Sequence, residues 1–183
     1  PSHLIILGAG PIGLELGQAF ARLGTKVTVL EADRALPRED ADLAAIVIEA
    51  VRADGVDLRQ GAKATAVSPT AEGVAISYRQ GDQELRIEGS HLLVATGRAP
   101  NVEGLDLSLA GIGLDERGSI LTDDQLLTTN RRVFAIGDVS GQGGFTHTAG
   151  AHAGLIIRKA RFAQPIKASA LMVPRATYTD PEI

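Results

Sequence analysis

LIILGAGPIGLELGQAFARLGTKVTVLE, residues 4–31, decides the fold. Leu4 to Leu7 form a short continuous apolar run, which suits a parallel strand buried on both faces. Gly8, Gly10 and Gly13 follow at once with the spacing G-x-G-x-x-G. In that pattern the first glycine makes a tight turn, the second lets a pyrophosphate approach the backbone, and the third lets helix and strand pack closely. Ile12, Leu16, Ala19, Phe20 and Leu23 recur at helical spacing and predict the buried stripe of a helix that Gly24 ends. Such a helix starts at the glycine turn, with its free N–H groups and positive dipole end aimed at a phosphate. Val27 to Leu30 predict the second strand, and Glu31 closes it eighteen positions beyond Gly13.

A bare G-x-G-x-x-G arises by chance in a glycine-rich chain. The strand before it, the helix after it and the acid ending the next strand turn it into a dinucleotide fingerprint. At the end of a strand a glutamate is also an ordinary solvated residue. In the fingerprint, the Glu31 carboxylate accepts hydrogen bonds from the adenosine ribose hydroxyls. It then repels a 2′-phosphate by roughly 1 to 4 kcal/mol at about 4 Å, depending on screening. NAD is therefore expected in preference to NADP. Arg34 and Arg38 follow closely and would soften that preference, although ordinary surface arginines are the plainer reading.

At 183 residues with 44% apolar content the chain is large enough for a real core. The net charge of −4, with no basic cluster, argues against nucleic acid as a partner. No apolar stretch approaches the length of a membrane span and no charged-then-apolar leader opens the chain, so no membrane partner and a cytoplasmic location are expected. Aromatic residues make up only 3%, against abundant Ala and Gly, which fits close helix-on-sheet packing better than a base-stacking surface. There is no cysteine, which excludes thiol catalysis, disulfides and cysteine metal sites within these residues, and no metal site is expected. The chain enters a strand almost at once and stops at TDPEI, so a longer parent polypeptide is expected.

After Glu31 a loop runs to Pro37, and Glu39, Asp40 and Asp42 supply the acidic first turn of a second helix. Leu43, Ile46, Val47, Ala50 and Val51 predict its buried stripe and Gly55 its stop. Val56 to Leu58 read as a third parallel strand. Ala64–Val67, Val74–Tyr78 and Leu85–Ile87 are then short β-like runs separated by SPTAEG and QGDQ, which predict an antiparallel meander in the place of a third crossover helix. His91 to Ala95 resume the buried parallel type and run into Thr96 and Gly97. Farther on, Val133 to Ile136 predict another buried strand, and Thr146 is placed to cap a helix from about His147 to Phe162, with Arg158, Lys159 and Arg161 at its end. The predicted class is α/β: a Rossmann-like three-layer parallel sheet with an inserted antiparallel β-meander, plus part of a second domain.

LLVATGRAPN (92–101) and VFAIGDVSG (133–141) resemble segments of the pyridine nucleotide-disulfide oxidoreductases, most of all the dihydrolipoamide dehydrogenase and mercuric reductase branch. GPIGLELGQAFARLGTKVTVLE, FTHTAGAHAG and PRATYTDPEI match as well, so the resemblance spans essentially the whole chain. It implies an NAD(P)-binding Rossmann domain over 1–97, the returning segment of an FAD-binding domain over 98–166 and the start of a dimerisation domain over 167–183. By the same resemblance Gly8, Gly10, Pro11, Ile12 and Gly13 correspond to the pyrophosphate turn, Glu31 to the ribose acceptor and Ala64 to a small residue against the adenine. Glu15 corresponds to a helix glutamate near nicotinamide and flavin, the one catalytic assignment. Thr96 and Gly97 correspond to a close backbone approach to cofactor, and Asp138 to the carboxylate that accepts from the FAD ribityl chain. Phe145, Thr146 and His147 correspond to the segment facing the flavin pyrimidine edge, where a helix start stabilises negative charge. His3, His91 and His152 are read as structural or surface residues.

The resemblance also implies what the longer parent does: hydride exchange between NADH and FAD, with electrons passed to or from a dithiol/disulfide or similar acceptor, in a homodimer. The family's first glycine motif, its redox-active cysteine pair and its acid-base histidine have no counterpart in these residues. The alternatives carried alongside are a non-catalytic NAD-binding redox-sensing module and a cysteine-free NADH:acceptor flavin reductase. This chain alone is expected to be inactive.

Overall fold

A computed structural model describes residues 1–142 and 144–183. Four parallel strands form the first sheet: β1 (His3–Leu7), β2 (Lys26–Leu30), β3 (Asp57–Arg59) and β7 (His91–Val94), in the order β3-β2-β1-β7. Helices α1 (Pro11–Arg22) and α2 (Ala41–Ala53) make the first two crossovers. The third is made by β4 (Ala62–Thr70), β5 (Gly73–Gln80) and β6 (Gln83–Gly89), an antiparallel sheet in sequence order with a bulge between Ala64 and Ala66.

The unbroken apolar run of β1 follows from this layering. Successive side chains of a strand point to opposite faces. Leu4 and Ile6 join the core under the helices with Val27, Val29, Val47 and Val51. Ile5 packs with Leu30, Ala62, Ile76 and Tyr78 under the meander. Each such side chain contributes about 1.5–3 kcal/mol by leaving water, and Ile5, Ile6 and Val29 are wholly buried.

The buried face of α1 differs from the expected one. Gly13, Leu14, Gly17 and Gln18 are buried, whereas Ile12, Leu16 and Leu23 are exposed, Leu23 by 80%. The helix lies so close to the sheet that a Cβ on Gly17 would come within 3.3 Å of Ile6 Cδ1. Glycines therefore occupy the closest contact, Leu14 and Gln18 fill the buried face on either side of them, and Ile12, Leu16 and Leu23 face away. In α2, Val47 and Val51 are buried as expected, but Ala44 completes the stripe while Leu43 and Ile46 are exposed.

Residues 1–97 and 175–183 form one compact unit and 98–174 a second. In the first, the 175–183 segment is tied to α1. The buried Gln18 amide donates to Asp180 O and to Asp54 Oδ2, both at 2.8 Å, and accepts the Asp180 N–H at 2.8 Å. Arg22 then bridges Asp54 (2.8 Å) and Asp180 (2.9 Å). The Gln18 contact, with Arg22 behind it, holds the Asp54 carboxyl below the usual carboxylate range.

The second unit contains α3 (Thr146–Phe162) and two short 3₁₀ turns, Gly137–Ser140 and Ala168–Ala170. Leu126, Leu155, Ile166 and Ala168 form its main core. The strand expected at 133–136 reduces to one bridge between Leu127 and Phe134. Thr128 N–H donates to Val133 O and Ala135 N–H to Leu126 O, a pairing too brief to extend into a ladder. Thr146 is not the cap: it is the first residue of α3, Phe145 is the cap residue, and no side chain caps the helix. Among the described residues no helix is long and apolar enough to cross a membrane.

Candidate functional site

In the first unit, the chain steps from β1 to β2 and β3 on one side and returns at β7 on the other side of β1, which makes this reversal of strand order the switch point where open α/β sheets hold ligands. A cleft of about 270 Å³ opens there, lined by Gly8, Glu31, Ala62, Lys63, Ala64 and Thr96 with Leu7, Leu30 and Ala32. The strand ends thus bring together four of the expected site residues, Gly8, Glu31, Ala64 and Thr96. Lys63 was not anticipated. Its place beside Ala64 at the start of β4 is the signal that would have found it, since a lysine there adds a cation to the cleft that Glu31 also lines.

The three fingerprint glycines have three different surroundings. Gly8 has φ +100°, and a Cβ on it would sit 2.6 Å from Ala95 O. A Cβ on Gly13 would reach 2.0 Å from Gly8 O, a contact no repacking relieves. At Gly10 a Cβ meets nothing within 4 Å. The space a side chain would fill at Gly10 is therefore open to a ligand.

The first intrahelical bond of α1 runs from Leu14 N–H to Gly10 O. Pro11 occupies the first helical position, where its missing N–H costs nothing. There is no side-chain cap and no acid in the first turn, so the dipole end stays positive. By contrast, Asp40 caps α2 by accepting the Asp42 N–H at 3.0 Å. Helix α3, like α1, starts with neither a side-chain cap nor an acid.

Glu31 Oε2 accepts the Ala9 N–H at 2.8 Å and Oε1 the Asp33 N–H at 3.0 Å. The carboxylate therefore braces the glycine turn, and each oxygen keeps a further lone pair for a ligand hydroxyl. Arg34 donates to Pro37 O at 2.8 Å and is committed to its own loop.

Glu15 does not line this cleft. It faces a separate concavity of about 380 Å³ with Gln18, Arg22 and the 178–182 segment, and its Oε1 accepts the Tyr178 N–H at 2.9 Å. Gly97 has φ +142° just past Thr96.

In the second unit, Asp138 lies in the Gly137–Ser140 turn with its side chain 56% exposed and Arg98 at 3.7 Å. Phe145 and His147 stack with ring centroids 5.2 Å apart, and His147 Nε2 donates to Pro174 O at 2.8 Å. Thr146 lies between them. No cluster of three or more His, Cys, Asp or Glu able to hold a metal ion occurs among the described residues.

A family model described as pyridine nucleotide-disulphide oxidoreductase matches residues 1–153. A mercuric reductase of Streptomyces lividans is 35% identical over all of the chain, and a dihydrolipoyl dehydrogenase of Bacillus subtilis is 37% identical over the same extent. The chain spans 39% of the length of each. Among solved structures, LpdA from Mycobacterium tuberculosis is similar over the whole chain with TM-score 0.89 and 31% identity, the chain covering 39% of it. The HOCl-induced flavoprotein disulfide reductase RclA from Escherichia coli, as its Cu(II) complex, matches with TM-score 0.88 and 33% identity, the chain covering 42% of it.

Proposed function

The chain belongs to the pyridine nucleotide-disulphide oxidoreductases, which use a nicotinamide dinucleotide and FAD, and from that premise we propose that its first unit binds NAD(H) in the cleft between the ends of β1, β2 and β7. The observation that carries this reading is the vacant space over Gly10, at an uncapped helix start, in the same turn that Glu31 braces from the next strand. The pyrophosphate lies over Gly10 against the first amides of α1, where the helix dipole favours an anion. Glu31 accepts from the adenosine ribose, and Ala64 and Thr96 border the remaining space. With Arg34 tied to Pro37, the carboxylate dominates the ribose end and NADH binds in preference to NADPH. Lys63 tempers that preference.

The second unit supplies contacts to FAD. The exposed Asp138 carboxylate accepts from the ribityl hydroxyls, the uncapped start of α3 at Phe145, Thr146 and His147 faces the flavin pyrimidine edge, and Glu15 and Gly97 lie on the nicotinamide side. When bound, the two cofactors supply the hydride chemistry of a full-length homodimeric oxidoreductase that exchanges electrons with a dithiol/disulfide or similar acceptor. This chain's own part is to bind and orient.

Calorimetry with NADH and NADPH on the wild-type chain and on Glu31→Ala tests the reading. Wild type is expected to bind NADH more tightly, and the substitution to shift the affinity ratio toward NADPH by roughly tenfold, the effect of removing one repulsive charge near the surface. No heat with either coenzyme, or an unchanged ratio, overturns it.

A further inference from the structure

His152, in the middle of α3, is 2% exposed and takes no part in the contacts assigned above. Its Nδ1 accepts the Gly137 N–H at 3.2 Å. The Gly137 carbonyl accepts the hydroxyl of Ser140, itself buried, at 2.7 Å. Both backbone polar groups of Gly137 are thus satisfied by buried side chains and not by a ladder. The residue has φ +69°, and a Cβ on it would sit 2.9 Å from the Ala149 Cβ, so the turn has little room to shift. The next residue is Asp138.

An imidazole accepts at Nδ1 only when it is neutral and carries its proton on Nε2. Protonation turns Nδ1 into a donor facing another donor. We propose that His152 is a positioning residue: as the neutral Nε2–H tautomer it clamps the Gly137–Ser140 turn through the Gly137 amide, fixes where Asp138 is presented, and releases the turn on acidification. The consequence for a flavin rests on the role given to Asp138 above, whereas the clamp itself does not.

Burial alone pushes the His152 imidazole below its ordinary value. The charged groups on the turn packed against it are Asp138 and the neighbouring Arg98. Those on its own helix are Arg158, Lys159 and Arg161. None of them contributes to the shift. Because the folded value is depressed, the clamp is complete above the unfolded value of about 6.5 and is lost as pH falls through the lower folded value.

Nitrogen-15 NMR of the 183-residue chain between pH 8 and pH 5 tests the clamp. Above pH 7 the His152 Nδ1 is expected to show the shift of an unprotonated acceptor, and the Gly137 amide to exchange roughly fivefold more slowly than in His152→Phe, the effect of one ordinary hydrogen bond. That protection is expected to fade on acidification in step with His152 titration. His152→Asn, which keeps an acceptor at the δ position, is expected to restore protection without the pH dependence. An Nδ1–H tautomer, equal Gly137 exchange in wild type and His152→Phe, or the same pH dependence in His152→Asn overturns the proposal. If His152→Phe does not fold, the wild type and the asparagine variant decide between the outcomes. Coenzyme binding is read separately on the first unit, so failure of either reading leaves the other standing.

Discussion

The two units solve the problem of unsatisfied backbone in opposite ways. Residues 1–97 close almost all of it in ladders and helices, and their sensitive positions are those without side chains. Residues 98–174 are mostly loop, and polar side chains substitute for the missing ladders. Asp115 Oδ1 accepts from Arg117 and Ser119 N–H, both at 2.8 Å, while Asp123 Oδ1 accepts from Gln125 at 2.8 Å and Leu127 at 3.0 Å. Adding an atom therefore breaks the first unit, and removing an acceptor breaks the second.

The largest effect is expected at Gly13. Gly13→Ala places a methyl 2.0 Å from Gly8 O and should destabilise the first unit by about 3 kcal/mol or more, because a backbone carbonyl cannot move aside as a side chain can. Urea melts followed by circular dichroism measure this, and a loss under 1 kcal/mol would mean the turn is far softer than its geometry.

In the second unit, Asp123→Ala strips an acceptor from two amides and a partner from Arg131, at an expected cost of about 1–2 kcal/mol. The pH dependence sharpens the contrast. Burial acts against the Asp123 charge, but Arg131 and the two amides outweigh it and lower its pKa. Its contribution is then full above about pH 4 and is lost as pH falls through the depressed folded value. Melts at pH 7 and pH 3 should show the wild-type advantage over Asp123→Ala shrinking in acid, and an undiminished difference at pH 3 would remove the carboxylate from this role.

The smallest effect belongs to Arg79→Ala. Arg79 sits opposite Glu84 across β5 and β6, and the pair is largely exposed. Its loss should cost less than about 0.5 kcal/mol. A larger loss would show that the meander, too, depends on side-chain anchors.

Legibility in the sequence followed the same division. The parallel strands, both crossover helices and the meander were readable because ladders and helices impose periods, and the turns between them carry Gly, Pro and Asp. The face of α1 was misread because large apolar residues were assumed to point inward. Here close approach favours Gly13 and Gly17, and Gln18 is buried only because Asp54 and Asp180, distant in sequence, satisfy it. The 133–136 run looked like a strand because apolar content says nothing about whether a partner is at hand. At the site, Gly8, Glu31, Ala64 and Thr96 converge because strand ends are where the glycine turn, the acid and the loops must meet. The Gly137 contact of His152 left no trace in the spacing, since its acceptor role depends on one backbone amide fifteen residues away.

The meander also places a free end where it does no harm. Its first hairpin turns at Ala71 and Glu72, beyond Thr70, whereas the cleft touches the same strand at Ala62 to Ala64. Six steps of extended chain from Ala64 to Thr70 carry that tip roughly 20 Å from Ala64. A peptide tag or a fluorescent label grafted between Ala71 and Glu72 would ride on an outer handle while leaving the glycine turn untouched.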